Sequence, residues 1–283
     1  MARTADFFAA STSNAPSMSH AHTVNVDDAR VAYRVRGSGP TIVLVSGAAG
    51  LDLHWGSVIA DLSAYRTVVT LDYSGSGDTT DDGRALSLPK LARQVREVAR
   101  AAGADRFDIV GHSLGAAIAV ELAATSPDLV RSLTVVAGFS FGFEPRLRLQ
   151  FELWLDLLRS QRSAFLRLLL LCGLTPAFIS RAGTAVIDEM VRSYLPLANW
   201  EGLIRQVELG LAVDIRGQTG RVTSPMLVVQ CTHDQIITQT AALAARVPNA
   251  VRKQLNTGHL AFLEGADEFV VLLLEFLRLR AVD

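Results

Sequence analysis

The chain is short of lysine, cysteine and net charge. Of its 27 basic residues only Lys90 and Lys253 are lysines, and 28 acidic residues leave a formal net charge of −1. That balance offers no electrostatic footprint for nucleic acid or an anionic membrane surface. Two cysteines, Cys172 and Cys231, are too few for a disulfide framework or a metal cluster, and point to a reducing compartment. Long apolar runs are missing as well. The longest in the middle of the chain covers 168–174, counting Gly173, whereas a membrane-spanning helix needs about 20 residues. No apolar stretch long enough for a signal peptide follows Arg3, since Phe7-Phe8-Ala9-Ala10 is too short, so a cytoplasmic location is expected. Residues 1–22 are small and polar and read as a disordered tail.

What is present is a full core. The 283 residues are 49% hydrophobic and 19% charged, which excludes disorder and allows one large α/β domain or two small ones. Arginine in place of lysine, with abundant alanine and valine, hints at a GC-rich bacterial genome. Residues 31–35 alternate apolar and polar, as a half-buried strand does. Apolar runs at 41–46 and 67–71 predict strands buried on both faces, and 107–111, 133–137, 225–230 and 251–255 read as further strands. Helical spacing predicts helices over 88–102, 116–125, 240–246 and 268–279. Strands alternating with helices imply a mostly parallel sheet covered on both sides.

One segment breaks the alternation. Residues 140–220 are leucine-rich, hold no convincing strand, and predict helices over 146–159, 164–171, 186–194 and 203–213. A structureless loop of that length is rare in a compact domain, so a helical subdomain is expected there. The core is then split between 23–139 and 221–283.

The strongest chemical signal is Gly111-His112-Ser113-Leu114-Gly115, between an apolar strand and an alanine-rich helix. A serine on so sharp a turn needs small neighbours two residues either side, where backbones nearly touch. The following helix aims free N–H groups at any charge developing there. Serine needs a base. Six histidines are available: His20, His22, His54, His112, His233 and His259. The first two fall in the tail, His112 must point away from its neighbour Ser113, and His54 precedes Trp55 in a loop. His233 competes with the adjacent Asp234 for one position. His259 directly follows the last strand, at the sheet edge where parallel sheets carry functional groups. Asp234 follows the 225–230 strand on the same edge, and is the carboxylate expected to fix the imidazole tautomer. The preceding strand ends in Ala137-Gly138-Phe139 and offers no carboxylate.

With the Gly-x-Ser-x-Gly turn and the order Ser113, Asp234, His259, the chain resembles the α/β-hydrolases over about 24–279. The resemblance implies an α/β-hydrolase fold with an inserted helical cap over 140–220. It implies an oxyanion hole from the backbone N–H groups of Leu114 and Ala48. Many members begin the second loop with His-Gly, whereas this chain reads Ser46-Gly47-Ala48-Ala49-Gly50. Asp72-Tyr73-Ser74-Gly75-Ser76-Gly77 resembles the family's Asp-x-x-Gly-x-Gly turn, to which a structural role is given. A serine nucleophile disfavours the aspartate-nucleophile epoxide hydrolases and dehalogenases. Leu114 in place of Met disfavours the haloperoxidase-like members, and Leu260 in place of Trp the carbon–carbon hydrolases. The expected activity is hydrolysis of an ester, thioester or lactone of a hydrophobic small molecule, through an acyl-enzyme and with no metal or organic cofactor. Phe139, Phe143 and Trp154 are the candidate pocket residues. Alternatives are carbon–carbon hydrolysis, cyclisation or acyl transfer by the same triad, and a ligand receptor on the same fold.

Overall fold

The computed structural model describes residues 21–48, 55–247 and 249–279. Predicted features at residues 1–20, including His20, lie outside these, as do Ala49, Gly50 and His54. Eight strands form one sheet: β1 His22–Val26, β2 Ala29–Arg36, β3 Thr41–Val45, β4 Thr67–Asp72, β5 Phe107–His112, β6 Val130–Val136, β7 Met226–Cys231 and β8 Val251–Leu255. Their spatial order is β1-β2-β4-β3-β5-β6-β7-β8. β2 pairs antiparallel with both β1 and β4, and the remaining pairs are parallel. His22 belongs to β1, where it faces Tyr33 in the register, and not to the tail in which the sequence placed it.

Helices cover both faces. On one side lie α1 Gly56–Ser63, α10 Ala261–Glu264 and α11 Ala266–Leu279; on the other, α2 Leu88–Ala101, α3 Leu114–Thr125 and α9 Thr240–Ala245. Side chains of one strand serve the two layers in turn: Ile42 and Leu44 pack with α1 and α11, and Val43 and Val45 with α2 and α3. This explains why β3 reads as an unbroken apolar run. Strand β1 and helix α1 were not foreseen. His22-Thr-Val-Asn-Val26 is an exposed edge with one buried residue, and α1 spans only two turns.

Between β6 and β7 the chain makes α4 Pro145–Ser160, α5 Arg162–Gly173, α6 Pro176–Tyr194, α7 Trp200–Ala212 and α8 Arg216–Thr219. α4 and α6 each open with a side-chain cap, Glu144 or Thr175, followed by proline at the first helical position. α6 is two helical segments joined across a kink at Gly183, at φ 78° and ψ 162°; the helix predicted over 186–194 is the second, and the first was not foreseen. The insertion is pinched shut at its base: Gly142 N–H donates to the Val213 carbonyl at 2.9 Å, and Ile215 N–H to that of Ser140 at 2.8 Å. Its aromatic core runs Phe139–Phe151–Trp154–Phe165, with ring centroids 6.0, 5.4 and 5.5 Å apart, and is continuous with the α2/α3 side of the main core. No helix among the described residues is long and apolar enough to cross a membrane.

Candidate active site

Strand order reverses around β3. The chain leaves β3 for β4 on one side, then returns to place β5 on the other. The carboxyl ends of β3 and β5 therefore flank a topological switch point, the usual ligand crevice of open α/β sheets. The 46–48 loop leaves one of these ends and Ser113 the other.

Ser113 sits at φ 53°, ψ −117°, a conformation few non-glycine residues adopt. The turn that imposes it is closed by contacts only glycine permits. A Cβ on Gly111 would lie 2.3 Å from the Gly115 carbonyl oxygen, and one on Gly115 only 2.2 Å from that of Val45. The small residues expected either side of the serine thus have a steric cause in these close backbone contacts. α3 begins at Leu114, so its N-terminal N–H groups open beside the hydroxyl.

The structure brings Ser113, His259 and Asp234 into one line. His259 Nε2 lies 3.1 Å from Ser113 Oγ, and His259 Nδ1 lies 2.8 Å from Asp234 Oδ2. The Asp234 and His259 side chains are 2% and 6% exposed, so the pair is withdrawn from bulk water. A carboxylate accepts only, so Nδ1 carries the proton and Nε2 is left to accept from the serine. The other Asp234 oxygen, Oδ1, accepts from the N–H groups of Ile236 and Ile237, both at 2.8 Å. Cys231 is buried nearby, and burial pushes its thiol up to about 12, so it stays protonated.

The other described histidines lie elsewhere. His233 is exposed, with Nε2 2.9 Å from Asn256 Oδ1. His112 does point away from Ser113: its Nε2 donates to the backbone carbonyl of His259 at 2.9 Å, and its ring lies 4.7 Å from that of His259. This buttressing role was not foreseen, since nothing in a linear string pairs residue 112 with residue 259.

Two tethers from the insertion reach the loops that carry Asp234 and His259. Arg146, at the start of α4, donates from Nη1 to the Ile236 carbonyl at 3.4 Å and from Nη2 to the Gln235 carbonyl. Those carbonyls belong to the peptide units whose N–H groups hold Asp234 Oδ1. On the base side, Leu260 N–H donates to the Gly173 carbonyl at 2.8 Å. Glu264 Oε1 accepts from Gly258 N–H at 3.2 Å and Thr175 N–H at 3.0 Å.

Two of the three pocket candidates are packing residues. Phe139 and Trp154 are buried in the insertion's aromatic core. Phe143 is 47% exposed and packs against Phe141, with the Arg216 guanidinium over both rings at 4.9 and 5.1 Å. The sequence put Phe143 at the pocket because it follows β6; the structure turns it outward at the foot of the insertion. Ala48 is half-buried at the end of the 46–48 segment, and Leu114 is buried at the first position of α3. Among the described residues no group of three or more His, Cys, Asp or Glu is arranged to hold a metal ion.

A fold and site of this kind define a hydrolase class, and comparison with known proteins agrees. The profile of the alpha/beta hydrolase family matches residues 42–272, and the chain belongs to that family. It is 42% identical over 257 residues to a pyrrolizixenacetamide deacetylase of Xenorhabdus hominickii, covering 90% of this chain and 97% of that one. It is 28% identical over 244 residues to a protein of Azorhizobium caulinodans named "Putative carbamate hydrolase RutD", covering 83% and 89%. In fold it resembles the enol-lactonase of Burkholderia xenovorans LB400, with a TM-score of 0.80, 23% identity, and 91% and 100% of the two chains covered. The chain is an α/β-hydrolase-fold enzyme with hydrolase activity.

Proposed function

We propose that the protein is a serine hydrolase that cleaves an acyl group from a hydrophobic small molecule through an acyl-enzyme. The observation that carries this is the unbroken hydrogen-bonded line from Ser113 Oγ through His259 to Asp234. His259 Nε2 takes the hydroxyl proton as Ser113 Oγ attacks the acyl carbonyl. Asp234 holds the imidazole tautomer and supports the imidazolium that forms. The N–H groups of Leu114 and Ala48 receive the negative oxygen, each worth about 3 kcal/mol in sites of this type. The tetrahedral species collapses as His259 returns the proton to the leaving group. A water then gives its proton to His259, attacks the acyl carbon, and the acid departs with Ser113 restored. The helical insertion over 140–220 acts as a cap above this line, shielding the intermediate from bulk water.

Ester, thioester and lactone carbonyls all suit this machinery. The 42% identical relative, named a pyrrolizixenacetamide deacetylase, favours an acetyl group on nitrogen as the natural substrate class. The leaving amine then needs the proton that His259 supplies. The test has two stages. A fluorophosphonate probe should label the wild type and not Ser113→Ala, which should retain its melting temperature and lose at least about 10⁴-fold in turnover. Acetyl transfer to water is then compared on p-nitrophenyl acetate and p-nitroacetanilide. Cleavage of both supports the acetamide class, and cleavage of the ester alone restricts the enzyme to oxygen esters. A Ser113→Ala variant within tenfold of wild type would overturn the mechanism.

A further inference from the structure

The Asp72–Gly77 turn was given a structural role by its sequence, yet one of its side chains reaches the catalytic loop. Tyr73 is fully buried. Its hydroxyl lies 2.8 Å from the carbonyl oxygen of Gly47 and 3.2 Å from that of Ser46. Both carbonyls accept, so the phenol is the donor. Burial raises the phenol well above its ordinary range, with the Ser46 contact opposing only in part, so it remains a neutral O–H at any working pH. Gly47 itself lies against the nucleophile: a Cβ there would stand 3.0 Å from Ser113 Cβ and 3.1 Å from His112 Nδ1.

The peptide bond supplies the link. The Gly47 carbonyl and the Ala48 N–H belong to one planar trans unit, in which they point to opposite sides. A hydrogen bond that fixes the carbonyl therefore fixes the direction of the N–H. We propose that Tyr73 is a positioning residue for the oxyanion hole, holding the Gly47–Ala48 peptide plane so that the Ala48 N–H is aimed before substrate arrives. This rests on the proposed serine mechanism and on Ala48 as donor. It also answers what replaces the His-Gly start of the loop: support comes from the neighbouring turn, through a phenol, and not from within the loop. Preorganised donors act without reorganising at the moment of reaction, so a loosened plane costs rate more than substrate binding.

The turn is itself braced independently of Gly47. Ser74 N–H donates to Gln94 Oε1 at 2.9 Å, and Gln94 Nε2 donates to Ser74 Oγ at 2.7 Å. Ser74→Ala therefore loosens the same turn without touching the phenol, and serves as the control. The experiment measures kcat, KM and the pH profile on p-nitrophenyl acetate. It also measures inhibition by a trifluoromethyl ketone, which forms a tetrahedral oxyanion on the serine, for wild type, Tyr73→Phe and Ser74→Ala. Tyr73→Phe should lower kcat and ketone affinity together, by roughly 10- to 100-fold, somewhat less than the 10²–10³-fold typical of losing a donor outright. KM and the shape of the pH profile should stay near wild type, and Ser74→Ala should retain ketone affinity. Unchanged ketone affinity in Tyr73→Phe overturns the proposal, and so does an equal loss in Ser74→Ala. If Tyr73→Phe melts below the assay temperature, 3-fluorotyrosine at position 73 replaces it. That side chain keeps the ring and hydroxyl and strengthens the donor, so ketone affinity should rise; no rise overturns the proposal. Failure of the wild type to react with fluorophosphonate would sink the serine mechanism itself, an outcome separate from any of these.

Discussion

His259 is one of six histidines, and its role comes from what surrounds each ring. Its Nδ1 faces a carboxylate and its Nε2 a hydroxyl, whereas His112 bonds a backbone carbonyl and His233 an asparagine. Asp234→Asn should therefore cost about 10⁴-fold in kcat, as expected when the amide stabilises the wrong tautomer. His259→Ala should cost at least as much, and His233→Ala should change kcat by less than about threefold. His112→Ala should fall between, because it removes the brace on the His259 backbone and the ring packing on His259; its melting temperature should drop with its rate. Steady-state kinetics on one acetate ester rank all four. A His233→Ala loss equal to that of His259→Ala would show that the base had been misassigned. The elbow glycines belong to the same scale. Gly115→Val pushes a side chain into the Val45 carbonyl at van der Waals overlap, and should abolish soluble folded protein.

At the scale of elements, α4 and the loop after β7 behave as one unit. Glu144 caps α4 by accepting from Leu147 N–H at 2.9 Å, and the same carboxylate reaches Gln239 Nε2 at 3.4 Å. Arg146, two residues on, grips the two peptide carbonyls behind Asp234. Arg146→Met should lower kcat by about tenfold, equivalent to some 1.4 kcal/mol of lost orientation, with little change in melting temperature. Arg146→Lys should recover only part of that, since an ammonium does not span two carbonyls as a planar fork does. Full activity in Arg146→Met would mean the acid loop holds itself. α7 shows the complementary case, a contact of backbone on backbone. A Cβ on Gly202 would lie 2.2 Å from the Gly75 carbonyl oxygen, so α7 rests directly on the Asp72–Gly77 turn. Gly202→Val should lift α7 from that turn and lower the melting temperature by several degrees, a shift differential scanning calorimetry would read.

Beyond the shared apolar core, polar clasps also join the insertion to the sheet domain. Arg205 of α7 forks onto Asp81, with contacts of 3.1 and 3.0 Å, and both side chains are largely buried. Burial alone would raise the Asp81 carboxyl, but Arg205, the Gly83 N–H and Ser74 outweigh it and hold the group below its ordinary value. A depressed carboxyl contributes stability that is complete above its unfolded pKa of about 3.9 and is lost as pH falls through the lower folded value. The clasp's contribution should therefore decline as pH falls below about 4, and the clasp itself should open only near the lower folded value. Wild-type melting temperature should fall more steeply across that window than that of Asp81→Asn, which is already weakened at pH 7. Parallel slopes for the two proteins would mean that Asp81 is not the group responsible.

Local pattern alone was enough for the alternating core, for the helices within 140–220 and for the sharp turn at Ser113. Each of these depends on signals within a few residues: burial on both faces of a strand, helical spacing, and glycines two places from a serine. The elements that escaped were those with weak local signal: the exposed edge strand β1, the two-turn α1, the four-residue α8 and α10, and the part of α6 before Gly183. Everything that required two distant segments to meet was decided by the tertiary structure. Periodicity could not turn Phe143 outward beneath Arg216, set His112 against the His259 carbonyl, or bring Arg146 to the peptides behind Asp234. Nor could it carry the Tyr73 hydroxyl to the Gly47 carbonyl, 26 residues away. Such contacts depend on strand order and helix seating, and these follow from the packing of the whole chain rather than from any window of it.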